Sequence, residues 1–340
     1  MTDLRLCLLG FGGVARELCK LLDAQERALA GMGLRVLITA VGTRHGSLLT
    51  ADGMTPAAVL ASIGEGPAPP QAARPAPELL AASRADVLVE LTVMEEDYAP
   101  VATGHVESAF ALGMDVVTAN KGPIAWNWRR LDEQARQHGR RIRFESTVMD
   151  GLPVFSLLEF ALPHCRLLGF EAVFNSTTNS ILEAMGRGGS LDDALAEAQR
   201  AGIVEADPDH DIDGWDAACK AAALANVAMG ADITPAGIGK QSLRDVPPEL
   251  VSAARSAGRR LRLVTQVWRE PGTAGAPVRG RVQARELSID HPLAPLGGES
   301  LGVVLHTDLM GDVLVAELGG LLPQTAYGVY ADLLHLWRSR

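Results

Sequence analysis

Hydrophobic positions in the first 150 residues fall into short apolar runs separated by stretches with helical spacing. Residues 4–9 (LRLCLL) read as a strand ending at Gly10, and a helical pattern runs from Gly13 to about Leu29. Residues 35–41 are a second β-rich run, closed by Gly42. Residues 86–93 (DVLVELTV) read as a buried strand, 99–112 as a helix, 115–118 as a strand, 126–138 as a helix and 142–145 as a further strand. The Pro-, Gly- and Ala-rich residues 63–77 read as a surface loop. Strands that alternate with helices predict a parallel sheet covered on both faces.

From about Asp150 the pattern changes. Residues 157–162, 180–185, 191–201 and the Ala-rich 214–229 have helical character, whereas 167–174 (LLGFEAVF), 264–267, 280–284 and 303–307 are strand-like. These strands predict a second, mixed sheet. A bent segment, 316–324, leads into a final helix over 325–336. The fold class expected is α/β, with a parallel-sheet domain over residues 1–130 completed by 316–340 and a second α+β domain over 131–315.

Composition narrows the function classes. At 340 residues the chain is long enough for about two domains, and with 47% hydrophobic and 21% charged residues it is globular in type. The net charge of −10, from 31 basic and 41 acidic residues, argues against a nucleic acid or an anionic membrane as partner. No apolar run reaches the ~18 residues of a membrane span, and the first residues lead straight into a strand, not a signal segment. Cys7, Cys19, Cys165 and Cys219 lack metal-ligand spacing, so four reduced thiols in the cytoplasm are expected.

Gly10-Phe11-Gly12-Gly13-Val14-Ala15 is a G-x-G-x-x-A turn after the first strand and at the start of a helix. Gly10 permits the sharp turn, Gly12 lets backbone approach a pyrophosphate, and Ala15 lets helix and strand pack closely. The context marks a Rossmann-type dinucleotide site. After the second strand an NAD-binding chain would carry a carboxylate for the ribose 2'-hydroxyl. Here Thr43-Arg44-His45 stand instead, and Arg44 suits a 2'-phosphate, which favours NADP over NAD.

The densest chemical signal runs from Glu205 to Lys220. Asp209-x-Asp211-x-Asp213-Gly214 matches the start of a calcium loop, but Lys220 occupies the position that must be a bidentate Glu. Asp216 and Lys220 lie four residues apart on one helix face, so the carboxylate can hold the ammonium; an ordinary surface salt bridge would look the same. Lys121, in Thr118-Ala119-Asn120-Lys121-Gly122, follows an apolar strand and so projects from the carboxyl edge of the parallel sheet. Asn175-Ser176-Thr177-Thr178-Asn179 is a polar cluster suited to a substrate carboxylate, or simply a helix cap. Together these point to a carbonyl held between a nicotinamide and lysines.

Over nearly all its length the chain resembles homoserine dehydrogenase, through GFGGVA, TANKG, FESTVMDGLP, FNSTTNSIL and above all GIVEADPDHDIDGWDAACK. The resemblance implies NAD(P)-dependent interconversion of L-homoserine and L-aspartate 4-semialdehyde, toward threonine, methionine and isoleucine. It also implies that the second domain is the catalytic and dimerisation domain of a homodimer. Lys220 is then the acid/base and Lys121 an oxyanion stabiliser that also meets the cofactor, as does Thr92. Asp216 orients the hydroxyl and Lys220, Glu205 binds the amino group, Asp211 supports both, and Ser176 and Thr177 meet the carboxylate. Glu145, Val148, Asp150 and Leu152 match a stretch that binds a monovalent cation, such as sodium, in some members. Met149-Asp150-Gly151 replaces the family's usual Gly-Ala-Gly or Gly-Gly-Gly, and Glu317-Leu318-Gly319-Gly320 lacks the first glycine of the family's closing turn. No effector-binding domain of the kind some members carry is expected. Two other readings stay open: a related oxidoreductase with another amino-acid aldehyde or hydroxy-acid substrate, and a cofactor-binding sensor without catalysis.

Overall fold

The computed structural model describes residues 1–66, 69–95, 97–200, 208–271 and 275–339. The chain divides into two compact units, Met1–Pro153 with Leu321–Arg340, and Val154–Gly320. The change-over lies later than the expected residues 130 and 316, for a local reason. The helix Lys121–Gln137 leads into a short strand that completes the first sheet, and residues 311–317 pair within the second.

The first unit is built on strands β1 (Thr2–Leu9), β2 (Leu34–Thr43), β3 (Gly46–Met54), β4 (Val87–Glu90), β5 (Asp115–Thr118) and β6 (Ile142–Arg143), in the order β3-β2-β1-β4-β5-β6. β1, β2, β4, β5 and β6 run parallel. β3 is an antiparallel addition that the sequence pattern does not reveal, hairpinned to β2 through Arg44 and His45. The Thr43 hydroxyl closes that turn on the amides of His45 and Gly46 at 3.2 and 3.1 Å. β4 stops at Glu90, short of the expected Val93, because Thr92 folds back onto the Glu90 carboxylate through its amide (3.3 Å) and its hydroxyl.

Leu4, Leu6 and Leu8 of β1 are buried together with Leu18 and Leu22 of the helix Gly13–Ala24 and with Val329, Leu333 and Leu336 of the final helix Leu322–Arg338. The chain's end is thus part of this core. An added Cβ on Gly13 would stand 2.6 Å from Leu322 Cδ1, so a larger residue there would displace that side chain.

The second unit carries β7 (Leu167–Val173), β8 (Gly239–Lys240), β9 (Arg260–Arg269), β10 (Val278–Leu287), β11 (Leu301–Thr307) and β12 (Gly311–Glu317), in the order β12-β11-β7-β9-β10-β8. Its pairings are antiparallel except β8 with β10, so the expected mixed sheet is present, with β8 and β12 additional to the strands foreseen. The helices Ser176–Met185, Leu191–Arg200, Trp215–Ala228 and Pro248–Ser256 belong to the same unit. The alanines of Trp215–Ala228 let it pack closely, and Ala221, Ala222, Ala223 and Ala225 are wholly buried. All four cysteines are free, and burial pushes the Cys7 and Cys19 thiols up to about 12. No helix among the described residues is long and apolar enough to cross a membrane.

Candidate active site

In the first unit the glycine turn lies at the carboxyl edge of the sheet. Gly10 has φ +91°, and an added Cβ would fall 2.4 Å from the Leu91 carbonyl oxygen, so the position excludes any other residue. Gly12 is the N-cap of the helix Gly13–Ala24, with no side chain capping that end, and nothing lies within 4 Å of where its Cβ would be. The backbone at Gly12 is therefore open to close approach, as a pyrophosphate at a helix N-terminus requires. Phe11, Val14 and Ala15 complete the turn, with Phe11 and Ala15 buried. Arg16, for which the sequence offers no signal, stacks on Phe11 at 5.1 Å and donates to the carbonyls of Gly64 and Gly66, pinning the adjoining loop.

Arg44 stands on the β2–β3 turn, at the same sheet edge, where Leu9 pairs with Gly42. Its Nε donates to His45 Nε2 at 2.9 Å. Thr92 accepts from Asn120 Nδ2 through its carbonyl at 3.2 Å. Asn120 in turn caps the helix Lys121–Gln137, its Oδ1 accepting from the Gly122 amide at 3.0 Å. That cap starts the helix five residues earlier than Trp126 and makes Lys121 its first residue. Beneath lies Glu90, fully buried, met by Thr92, by Thr118 Oγ1 at 3.4 Å and by His105 Nδ1 at 3.4 Å.

In the second unit four residues form one connected cluster. Lys220 Nζ lies 3.0 Å from Asp216 Oδ2 and donates to the Phe174 carbonyl at 2.7 Å. Both side chains are largely buried, so this is no solvated surface pair. Asn175 donates through Nδ2 to Asp211 Oδ1 at 2.7 Å and to Asp216 Oδ2 at 2.9 Å. Its Oδ1 accepts from the Thr178 amide at 2.8 Å, so the same residue caps the helix Ser176–Met185. Burial raises the Asp211 carboxyl above its ordinary value and the Asp216 charge raises it further; Asn175, Lys220 and Thr177 act in the opposite sense.

Sequence reasoning places Asn175 in a cap and misses it as the bridge. The carboxylates of the acidic segment divide. Asp209 and Asp213 face Arg244, with Arg244 Nε 3.7 Å from Asp213, while Asp211 and Asp216 turn to Asn175. Among the described residues no three His, Cys, Asp or Glu side chains gather as a metal site. Thr177 is buried and Ser176 half-buried at the helix start. Glu205 lies outside the described residues.

The segment 145–152 is tied to the final helix. Glu145 N donates to Asp332 Oδ2 at 2.8 Å, Ser146 Oγ to the Thr325 carbonyl at 2.7 Å, and Thr325 Oγ1 to Asp150 Oδ1 at 3.0 Å. Asp150 itself has φ +45°. A Cβ on Gly151 would come within 2.0 Å of the Gln324 carbonyl oxygen.

Residues 153–334 match the family described as homoserine dehydrogenase, and residues 10–145 match its NAD-binding domain. The chain belongs to the homoserine dehydrogenase family. It is 31% identical to an NAD(+)-dependent homoserine dehydrogenase of Pseudomonas canavaninivorans, over 100% of this chain and 97% of that one. It is 29% identical to a homoserine dehydrogenase of Methanocaldococcus jannaschii, covering 98% of each. Among solved structures, a homoserine dehydrogenase from Thermoplasma acidophilum aligns with TM-score 0.84 at 26% identity, over 99% of this chain and 100% of that one. A hyperthermophilic archaeal homoserine dehydrogenase in complex with NADPH aligns with TM-score 0.83 at 28% identity, over 100% and 99%. Members thus share the two-unit α/β architecture along the whole chain.

Proposed function

We infer that this chain is an NAD(P)-dependent homoserine dehydrogenase, interconverting L-homoserine and L-aspartate 4-semialdehyde in the synthesis of threonine, methionine and isoleucine. The observation that carries the reading is the buried Lys220–Asp216–Asn175–Asp211 cluster, in a chain whose other unit holds an open glycine turn. The dinucleotide, when bound at that turn, supplies or accepts the hydride. Gly10 to Ala15 hold its pyrophosphate, Thr92 borders its site, and Arg44 pairs with a 2'-phosphate, giving preference to NADP.

Lys220 protonates the developing alkoxide in the reducing direction and takes the proton back in the oxidising one. Asp216 keeps the ammonium aimed and orients the hydroxyl, Asp211 and Asn175 hold Asp216, and Lys121 steadies the oxyanion. Ser176 and Thr177, at a helix N-terminus, receive the substrate carboxylate, and Glu205 its amino group. A monovalent cation, sodium in the first instance, would rest on main-chain oxygens of Glu145, Val148, Asp150 and Leu152, since the Asp150 carboxylate already accepts from Thr325. A homodimer through the second sheet is supported by the exposed Leu168, Trp268 and Leu314 on β7, β9 and β12. The reading places the enzyme in the cytoplasm.

The test is an initial-rate assay with L-homoserine against NADP and NAD, following the reduced nicotinamide. Turnover with a higher kcat/KM for NADP is expected. Absence of turnover with both cofactors, in protein that binds them, overturns the reading.

A further inference from the structure

Apart from the acidic cluster, the second unit holds a cavity of about 270 Å³ between the end of the helix Ser176–Met185, the helix Pro248–Ser256 and the start of β9. Its apolar lining is Leu182, Val251 and Leu261, and five arginines join them: Arg187, Arg255, Arg259, Arg260 and Arg262. One carboxylate, Glu183, lines it as well. Such a concentration of positive charge is unexpected in a chain of net charge −10.

The arginines are only partly neutralised by the protein. Arg187 pairs with Glu197 at 2.8 Å and Arg259 with Glu286 at 3.5 Å. Arg255 makes no ion pair among the described residues, and Arg260 spends Nη1 on the Arg259 carbonyl at 3.0 Å. Arg262 is only 3% exposed. Its Nη2 reaches Glu183 at 3.3 Å and the Ala294 carbonyl at 3.1 Å, while its buried Nε has no partner among the described residues. Burial, and to a lesser degree the charge of Arg260, disfavour the Arg262 cation, which Glu183 alone opposes. A buried guanidinium that is under-bonded, ringed by further guanidinium groups, is stabilised by a bound oxyanion.

We propose that this cavity is a second ligand site, taking a small dianion with phosphate or carboxylate groups and a short apolar portion. The volume lies just below the range of about 300–1,000 Å³ usual for drug-sized ligands, which limits the occupant to a small metabolite. Arginine forks take phosphate or carboxylate in bidentate fashion, and Leu182, Val251 and Leu261 cover the apolar part. An occupant would touch the last turn of the helix whose N-cap is Asn175, so the site and the acidic cluster stand at opposite ends of one ten-residue element.

Isothermal titration of the full chain with propyl phosphate and, separately, succinate tests this, with the glycine turn filled by excess reduced dinucleotide. Saturable binding of one ion per chain is expected for at least one probe, and the tighter of the two identifies the occupant as phosphate or carboxylate. The exposed-rim variant Arg255→Gln/Arg260→Gln should weaken it on the order of tenfold, with its thermal melt retained. Glu183→Gln should tighten it, a gain that misfolding does not produce. Lys220→Ala should leave it unchanged. No binding of either probe, or binding undiminished in the rim variant, overturns the proposal.

Discussion

Asn175 bonds to Asp216 at 2.9 Å while its carbonyl oxygen caps the helix Ser176–Met185, so a single amide joins backbone termination to the positioning of a buried carboxylate. Asp216 in turn holds Lys220 at 3.0 Å. The strength of this arrangement is that Asn175 and the Asp216–Lys220 pair stand on different elements, each fixed by its own packing. It also makes the cluster sensitive to single changes.

Lys220→Ala should lower kcat by on the order of 10²- to 10⁴-fold because proton transfer is lost, with dinucleotide affinity kept because the glycine turn belongs to the other unit. Asn175→Ala should cost about 1–3 kcal/mol of folding stability as well as activity. It deletes a cap and leaves Asp211 facing Asp216 with no amide donor between them. Steady-state kinetics, cofactor fluorescence and urea melts separate these effects. Equal loss of cofactor binding in Lys220→Ala would argue for a structural role.

The raised Asp211 carboxyl, caused first by burial and then by Asp216, has a pH consequence. A carboxyl raised on folding binds its proton more tightly in the native state. Its contribution to stability is then fully present below the ordinary value of 3.8 and is lost as pH rises through the native value. Asp211→Asn should therefore gain stability relative to the parent at neutral pH, and the gain should vanish as pH falls toward that ordinary value. Urea midpoints across the range read this directly; a gain independent of pH would contradict it.

Gly10 and Gly12 should fail in different ways. Gly10→Ala places a Cβ 2.4 Å from the Leu91 oxygen at φ +91°, so a loss of about 2–4 kcal/mol is expected. Gly12→Val projects into open space and should melt like the parent, yet weaken dinucleotide binding on the order of tenfold or more. Calorimetry and cofactor titration distinguish the two. A normal cofactor affinity in Gly12→Val would remove the turn from the binding site.

Arg44→Ser should lower the NADP-to-NAD ratio of kcat/KM on the order of tenfold, mainly through KM for NADP. The Thr43 hydroxyl still closes the turn through main-chain amides, so the hairpin should survive. An unchanged ratio would place 2'-phosphate recognition elsewhere.

Much of this molecule is legible in local patterns. Apolar periodicity locates the central strands and most helices, and the glycine turn is visible because the steric demand at Gly10 and the open approach at Gly12 fall within one short stretch. The i,i+4 spacing of Asp216 and Lys220 is likewise sufficient to pair them. Other features need the folded chain. β3 pairs antiparallel because a two-residue turn succeeds Thr43, and Glu90 ends β4 through a contact with Thr92. In the acidic segment the sequence does not show which partners Asp209, Asp211 and Asp213 take. The segment's division between Arg244 and Asn175 depends on residues distant in sequence, as does the gathering of arginines from a helix, a strand and the turns beside them around one cavity. Periodicity encodes which face of an element is buried, but partner choice among buried polar groups is decided by which elements meet, and that is a property of the tertiary fold.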